Sequence, residues 1–207
     1  MSGEIGTAAV QAPSQIAFTV KVRGKASHAG FAPQDGVHAI RIAATAIAEM
    51  AIGRIGDDTT VNVGHIEGGR ASNIVPDYCE VSGELRSFSH KKALEELAKV
   101  EQIFAKEAEK CGGSIEFIRD ICYQAYKTDE NESVVKEFQK ACTACGIKSS
   151  LIATFGGSDQ NKMSEHGIPG IVMASAMHQV HSCQEYTEVS EMAQVAGIVS
   201  ELLQMKE

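Results

Sequence analysis

A short polar stretch, MHQVHSCQEYTE at residues 177–188, contains the residue types that bind metal ions. His178 and His181 are three residues apart, Glu185 follows four residues later, and the Cys183 thiol lies between them. Imidazole, carboxylate and thiolate groups are the ligands that zinc prefers in proteins. Such spacing is also common in ordinary loops, where most histidines are structural or solvated. The stretch therefore predicts one wall of a metal site and leaves the other walls to be found.

A second polar loop, FGGSDQN at residues 155–161, follows the preceding predicted strand. It offers two flexible glycines, a hydroxyl and a carboxylate, from Gly156, Gly157, Ser158 and Asp159. Both loops come after short apolar runs, at residues 147–154 and 170–175, that are typical of buried parallel strands. In open α/β sheets, ligands bind outside the carboxyl ends of the strands. We therefore expect the two loops to lie at one edge of a sheet and to form the rim of a pocket.

Three further polar residues lie in predicted loops and strands nearer the amino terminus: His28 in SHAG, Asn73 in GGRASNIVP and Arg86 in GELRS. In the ordinary interpretation His28 caps a turn, Asn73 adopts a strained turn conformation and Arg86 extends to solvent. In the functional interpretation a neutral histidine or an amide donates to an oxyanion, and an arginine holds a carboxylate through two parallel hydrogen bonds. The residue types alone leave both interpretations open.

Residues 15–122 have the pattern of a compact α+β unit. Period-two alternation predicts strands at residues 14–24, 59–66, 78–88 and 114–123. Helical spacing predicts a first helix at residues 37–52, with Asp35 as its cap and Gly53 as its stop. The second helix, at residues 90–113, is predicted to bury Leu94, Leu97, Ile103 and Phe104 and to stop at Gly112. The resulting order β-α-β-β-α-β is the ferredoxin-like split βαβ arrangement.

The remainder of the chain alternates helices and strands. Predicted helices at residues 132–145, 160–166 and 188–205 alternate with the strands at 147–154 and 170–175. This alternation predicts an α/β layer with a largely parallel sheet, to which residues 1–14 are expected to add a strand. The predicted fold class is thus α/β and α+β, with a ferredoxin-like unit at 15–122 inserted into a partial α/β unit made of residues 1–14 and 123–207.

Composition restricts the classes of partner. The chain has 207 residues, of which 43% are hydrophobic and 22% charged, as in ordinary globular proteins. A net charge of −8 with scattered basic residues argues against a nucleic-acid partner. Because the apolar runs are shorter than the roughly 20 residues of a membrane-spanning helix and no basic-then-apolar leader opens the chain, we expect no membrane partner and a cytoplasmic location. The six cysteines, including the CxxC at residues 142–145, are expected to be reduced structural thiols rather than half of a zinc or redox motif.

Four motifs, in order, resemble one enzyme group. They are GKASHAGFAPQDGVHAI, TTVNVGHIEGGRASNIVPDYCEVSGELRS, GGSDQNKMSEHGIPGIVM and HSCQE. The group is the di-zinc amidohydrolases that include aminoacylase, carboxypeptidase G, succinyl-diaminopimelate desuccinylase and peptidase T, and the likeness is strongest to peptidase T-like members. The resemblance implies a zinc-binding α/β catalytic domain into which a ferredoxin-like lid and dimerisation domain is inserted. It covers essentially the whole chain.

The resemblance also implies roles for individual residues. His181 matches the last metal ligand and Glu185 the acidic residue that supports the site. His28 matches the lid histidine that polarises the scissile carbonyl, in some relatives from the partner subunit of a homodimer. Asn73 and Arg86 match lid residues that hold the carbonyl and the carboxylate of the substrate. The substrate cleft is lined by the residues that match Gly156, Gly157, Ser158 and Asp159.

The chain departs from the family pattern at the other metal ligands. In the family, most ligands of the two zinc ions and the glutamate base come from an amino-terminal segment with a His-x-Asp motif, a bridging Asp and a Glu-Glu pair. This sequence contains no such His-x-Asp motif, and its Glu95-Glu96 pair lies in a predicted helix. We therefore expect a carboxyl-terminal fragment of a zinc-dependent exopeptidase acting on short peptides or N-acyl amino acids. Alone, this fragment should have no significant peptidase activity and no tight di-zinc site.

Two other functions are consistent with parts of the sequence. The chain could be a non-catalytic dimerisation or interaction module derived from such an enzyme, although the polar GGSD and HSCQE loops would then have no purpose. A cysteine enzyme using Cys183 beside His181 would lack an identifiable orienting Asn or Asp. Because a partial α/β unit exposes apolar edges, we also expect self-association through that part.

Overall fold

The computed structural model describes Met1 and residues 3–204 of the chain. The predicted end of the last helix, Met205, lies outside these residues. The strands are β1 Thr7–Ala12, β2 Ser14–Arg23, β3 Ser27–His28, β4 Gly53–Ile55, β5 Thr59–Gly68, β6 Ile74–Val75, β7 Tyr78–Ser87, β8 Ser114–Tyr123, β9 Tyr126–Lys127, β10 Ser150–Ala153 and β11 Val172–Met173. The α-helices are α1 Ala39–Glu49, α2 His90–Lys110, α3 Ser133–Ala144, α4 Asp159–Glu165 and α5 Val189–Gln204.

The chain forms two compact units. One consists of Ser14–Gln124, and the other combines Met1–Pro13 with Ala125–Glu207. We call them the inserted unit and the discontinuous unit. Among the described residues, no helix is long and apolar enough to cross a lipid bilayer.

The inserted unit is a five-stranded antiparallel sheet with two helices against it. Its strand order is β4-β5-β7-β2-β8, and every neighbouring pair is antiparallel. The alternation along β2 puts Ile16, Phe18, Val20 and Val22 into the core, and the intervening residues lie on the other face. Because successive side chains of a strand point to opposite faces, this pattern alone selects the buried face. The four main strands predicted from alternation are confirmed to within two residues at each end.

The core of the inserted unit is completed by the helices. From α2, the residues Ala93, Leu97, Val100, Phe104 and Ala108 are buried. Burying a side chain the size of Phe104 contributes about 1.5–3 kcal/mol. Gly83 of β7 lies beneath the Phe18 ring, where an added Cβ would come within 2.4 Å of the ring. The missing side chain at this position is what lets the aromatic ring of the neighbouring strand fit.

Two details of the predicted helices are wrong. The first helix begins at Ala39, and His38 rather than Asp35 is its cap, with the His38 Nδ1 accepting from the Arg41 amide at 3.2 Å. Asp35 lies in a 3-10 turn that ends at Gly36, whose extended backbone separates that turn from the helix. In the second helix Leu94 is 37% exposed, because the buried stripe passes through its neighbour Ala93.

The discontinuous unit contains a small mixed sheet with two of its helices packed on a common core. The strand order is β10-β1-β11, and β9 also pairs with β1. Its core is formed by Ala8, Phe138, Ala141, Cys142 and Ile198. The head strand β1 was predicted, but the largely parallel sheet is wrong: only β10 runs parallel to β1, whereas β9 and β11 are antiparallel to it. The alternation of helices and strands in the sequence indicates a layered fold but does not give the direction of each strand. That direction depends on which strands pair in the sheet.

Candidate active site

The loop after β11 is a closed hairpin with His181 within it. Backbone hydrogen bonds join His178 and Tyr186 in both directions, at 2.9 and 3.2 Å, and their rings stack with centroids 4.9 Å apart. His178 Nε2 is 2.7 Å from the Glu191 carboxylate at the start of α5. Inside the hairpin, the Glu185 carboxylate accepts from the His181 amide at 2.8 Å. Glu185 thus holds the backbone of His181 in place.

The hairpin and the residues just before it have an unusual backbone conformation. Ala176, before the hairpin, and Gln179 and His181, within it, all have positive φ, at 57°, 49° and 63°. For residues other than glycine this left-handed region is uncommon and costs free energy, so it persists only where surrounding contacts impose it. Within the described residues, these are the non-glycine positions with positive φ, and they fall in one six-residue stretch. The conformation of the predicted metal ligand is therefore set by the loop.

The GGSD loop connects β10 to α4, and two buried side chains fix the start of that helix. Asn161 is fully buried, donates to the Pro13 carbonyl at 3.0 Å and accepts from the Ser158 amide at 3.1 Å. Gln160 donates to the Ile168 carbonyl at 3.0 Å. Gly156, Gly157 and Asp159 are exposed in front of this anchored turn.

The two loops do not leave the sheet at the same edge, contrary to the sequence-based expectation. β10 runs parallel to β1 and ends beside Gln11, whereas β11 is antiparallel to β1 and runs towards Thr7. The GGSD loop therefore begins at the Ala12 end of β1, and the segment leading to the His181 hairpin begins at the Thr7 end. The expectation failed because it assumed a parallel β11.

In the inserted unit, His28 is held by a tight turn. Its Nδ1 accepts from the amides of Gly30 and Phe31, at 3.1 and 3.2 Å. The imidazole also stacks on the Phe31 ring, with centroids 4.3 Å apart, although Phe31 itself is 87% exposed. A neutral imidazole that accepts at Nδ1 must carry its proton on Nε2. The turn therefore presents Nε2–H as a hydrogen-bond donor.

Asn73 lies next to this turn. Its backbone carbonyl accepts from the Ala29 amide at 2.9 Å, and the following residue, Ile74, pairs with His28 across the β3–β6 ladder. The fold thus brings together two of the predicted site residues that are 45 positions apart in the sequence.

Arg86 lies in β7 of the five-stranded sheet, whereas His28 lies in the separate two-stranded sheet of β3 and β6. Two residues join β6 to the Tyr78 end of β7, and Arg86 is eight residues further along the strand, or about 27 Å from Tyr78 at the usual rise of a strand. Its Nε and Nη2 donate to the two carboxylate oxygens of Glu84, at 2.9 and 3.2 Å. The hydrogen bond that Arg86 donates to Glu84 raises the pKa of Arg86 against the opposing effect of burial.

Sequence reasoning missed three residues that hold the predicted ones: Glu84, Asn161 and Glu191. A signal existed for Glu84, because residues two apart on a strand share a face and the motif GELRS sets a carboxylate beside the arginine. Asn161 could be suspected as the third residue after a serine cap. Nothing local in the sequence links Glu191 to His178, because that contact crosses from a loop to a helix.

Among the described residues, no three His, Cys, Asp or Glu side chains converge to hold a metal ion. In the CxxC motif, both cysteines are free thiols: Cys142 is buried and Cys145 is half-buried. Burial raises the pKa of the Cys142 thiol. His178 is hydrogen-bonded to Glu191 of α5, and Glu185 accepts from the His181 amide. The metal ligand expected from the resemblance is His181. A single imidazole fits the role of one ligand and does not by itself form a di-zinc site.

Comparison with known proteins supports the resemblance. The family model of the M20 peptidase dimerisation domain matches residues 13–111. An aminopeptidase PepT from Bacillus cereus has 36% sequence identity and a TM-score of 0.91, over 99% of this chain and 55% of that one. A tripeptidase from Staphylococcus aureus has 32% identity and a TM-score of 0.94 over the same shares. The chain belongs to the M20 peptidase family.

A more distant structure has the same fold. A Bacillus subtilis protein described as a dinuclear metal-binding peptidase of the M20 family superimposes with a TM-score of 0.73 at 17% identity, over 96% of this chain and 52% of that one. This chain spans about half the length of these three proteins.

Proposed function

We propose that this chain is part of a zinc-dependent exopeptidase that hydrolyses amide bonds of short peptides or N-acyl amino acids. In this proposal the inserted unit is the ferredoxin-like lid and dimerisation domain, and the discontinuous unit is part of the catalytic domain. The observation that carries the proposal is the His28 turn, in which Nδ1 accepts two amide hydrogen bonds and Nε2–H is left as the donor. Such a donor is what an amide carbonyl needs when its oxygen becomes negative.

The ferredoxin-like interpretation is supported by strand order as well as element order. The chain passes through β2, α1, β5, β7, α2 and β8, and the sheet order is β5-β7-β2-β8, with the short β4 added at one edge. Numbered along the chain, the four main strands lie in the order 2-3-1-4 and are antiparallel throughout. The split βαβ arrangement requires the first and third strands to be central, as they are here.

Asn73 and Arg86 are proposed to bind the substrate from two different chains. Adjacent to His28, the Asn73 amide is suited to donate to the same carbonyl oxygen. A fully extended tripeptide spans only about 10 Å, whereas Arg86 is about 27 Å along β7 from the end at which β6 joins that strand. This separation supports a homodimeric active unit in which one protomer supplies His28 and its partner supplies Arg86.

The role proposed for Arg86 depends on its carboxylate neighbour. Paired with both oxygens of Glu84, the guanidinium is held in a fixed plane on the open face of the sheet. A planar, oriented guanidinium is suited to bind the carboxylate of a peptide or an N-acyl amino acid. Glu84 is therefore proposed to orient Arg86 rather than to bind the substrate.

In the discontinuous unit, His181 is proposed as a metal ligand, Glu185 as its support, and Gly156, Gly157, Ser158 and Asp159 as the lining of the cleft. Zinc, when bound in the complete enzyme, would activate water for attack on the amide carbon. The described residues of this chain supply one proposed ligand, His181. The contribution of this chain is to hold His181, to donate from His28 and to bind the substrate.

A second candidate is a dimerisation module without catalytic activity. The observation that favours it is the family match, which covers the dimerisation domain. Both functions need the same homodimer, and they differ in whether the His28 turn and the His181 hairpin act on a substrate.

Metal content and hydrolysis test the proposal. We expect the purified chain to contain less than one zinc per chain by mass spectrometry and to show no tripeptide hydrolysis with added zinc. Nitrogen-15 NMR should show His28 as the Nε2–H tautomer. About two zinc ions per chain with turnover would mean that its own ligands are sufficient. A His28 with its proton on Nδ1 would remove the basis for the oxyanion role.

A further inference from the structure

Three side chains to which the proposed function assigns no role close the His181 hairpin and attach it to α5: His178, Tyr186 and Glu191. His178 and Tyr186 form the base of the hairpin, where two backbone hydrogen bonds and a ring stack close it. Glu191 belongs to α5, outside the hairpin, and its carboxylate lies 2.7 Å from His178 Nε2. The hairpin base is thereby attached to a helix whose residue Ile198 is in the core of the unit.

The interior of the hairpin is connected by its own hydrogen bonds. Ser182 Oγ donates to the Gln179 carbonyl at 2.7 Å and accepts from the Gln184 amide at 3.1 Å. The Glu185 carboxylate accepts from the His181 amide. These bonds are local and solvent-exposed, so water competes with them effectively. Alone they are weak constraints on two residues, Gln179 and His181, that both have positive φ.

A strained backbone persists only where several contacts determine it together. The contacts at the base are stronger than those inside, because they combine a paired backbone, a ring stack and an ion pair or charge-assisted hydrogen bond. The base also contacts α5, through the hydrogen bond between His178 and Glu191. Orientation of His181 therefore depends on residues that do not themselves contact a ligand.

We propose that His178, Tyr186 and Glu191 are positioning residues that hold the His181 hairpin in its strained conformation before any metal binds. The inference rests on the proposed function for its purpose, since His181 is the proposed metal ligand. The conformational claim itself concerns this chain without metal. A free loop would have to be ordered on binding, whereas a preformed one avoids that entropy cost.

The test uses NMR on the full chain without metal. The readouts are solvent exchange of the His181 and Gln184 amides and the intraresidue HN–Hα NOEs of Gln179 and His181, which are strong at positive φ because the two protons then lie close together. In His178→Ala and Glu191→Ala we expect at least tenfold faster exchange of both amides and intraresidue NOEs weakened towards those of a flexible loop. A role limited to global stability would leave these NOEs unchanged in the folded protein.

Conservative variants and a matched control complete the design. Tyr186→Phe keeps the ring and Glu191→Gln keeps a hydrogen-bonding partner for His178, so both should remain within about threefold of the native exchange rates. Glu188→Ala removes an exposed carboxylate three residues from Glu191 and should change nothing.

Native exchange rates and native intraresidue NOEs in both alanine variants would overturn the proposal. If His178→Ala disrupts the unit, seen as lost protection in β10, the comparison of Glu191→Ala with Glu191→Gln still decides the question. Failure of the proposed peptidase function would appear separately, as an absence of metal-dependent hydrolysis in the complete enzyme, and would leave these loop measurements unaffected.

Discussion

Replacing Asn161 by alanine should destabilise the discontinuous unit and release the GGSD loop. This fully buried amide joins two distant segments, since its Nδ2 donates to the Pro13 carbonyl and its Oδ1 accepts from the Ser158 amide. Alanine can replace neither bond. The Pro13 carbonyl is in a buried residue, whereas Ser158 is only half-buried, so water can reach its amide more easily.

The expected loss in the free energy of unfolding follows from these two bonds. Leaving a buried acceptor without a partner costs about 1–3 kcal/mol, and losing a partly solvated hydrogen bond costs about 0.5–1.5 kcal/mol. Together they give about 1.5–4.5 kcal/mol for Asn161→Ala. Since 1.4 kcal/mol is a factor of ten, this corresponds to roughly 10- to 1,600-fold faster exchange of amides that open with the unit.

Native-state hydrogen exchange measures this directly at the amides shared by β1 and β10. The matched control is Lys162→Ala, which removes only an exposed ion pair with Glu165 and should cost less than about 0.5 kcal/mol. A loss below about 0.5 kcal/mol for Asn161→Ala as well would refute the argument that the buried amide holds this turn. Amides of the GGSD loop should also lose protection in the asparagine variant alone.

Two further predictions concern ionisation. Lys92 donates a hydrogen bond of 2.5 Å to Asp58, which holds the pKa of the Asp58 carboxyl below its usual 3.8. The ionised carboxylate therefore stabilises the fold above pH 3.8. This stabilisation is lost as the pH falls through the lower pKa of the folded state. The loss of unfolding free energy in Asp58→Asn should therefore shrink between about pH 6 and pH 2 in urea titrations, and a loss independent of pH would contradict the assignment. The second prediction concerns the thiols: Cys111 and Cys183 are exposed, whereas Cys142 is buried and its burial raises the pKa of the thiol. A thiol reagent should therefore modify Cys111 and Cys183 rapidly and Cys142 only after unfolding, as mapped by mass spectrometry.

Much of the secondary structure could be predicted because its signals are local. The alternation in β2, β7 and β8 and the helical spacing of α2 each depend on residues within one element, and their predicted limits agree with the structure. The caps were less predictable. Asp35 has a residue type that favours helix caps, but Pro33 and Gly36 place it in a separate turn.

The candidate site was predicted as a set of residues and not as a geometry. Motifs selected His28, Asn73, Arg86 and His181, and the adjacency of His28 and Asn73 depends on the β3–β6 pairing. The separation of Arg86 from that pair follows from the length of β7. These are distances across a folded sheet, and no spacing in the sequence encodes them.

The sequence by itself determined the longer strands and helices, the buried face of β2, the M20-like motifs and the absence of any long apolar segment. Tertiary structure alone decided that β11 runs antiparallel to β1, that Asn161 reaches the Pro13 carbonyl, and that Glu191 reaches His178. The physical reason is the range of the interactions. Side-chain periodicity acts within one element, whereas strand direction and side-chain partners depend on hydrogen bonds between segments that only the folded chain brings together.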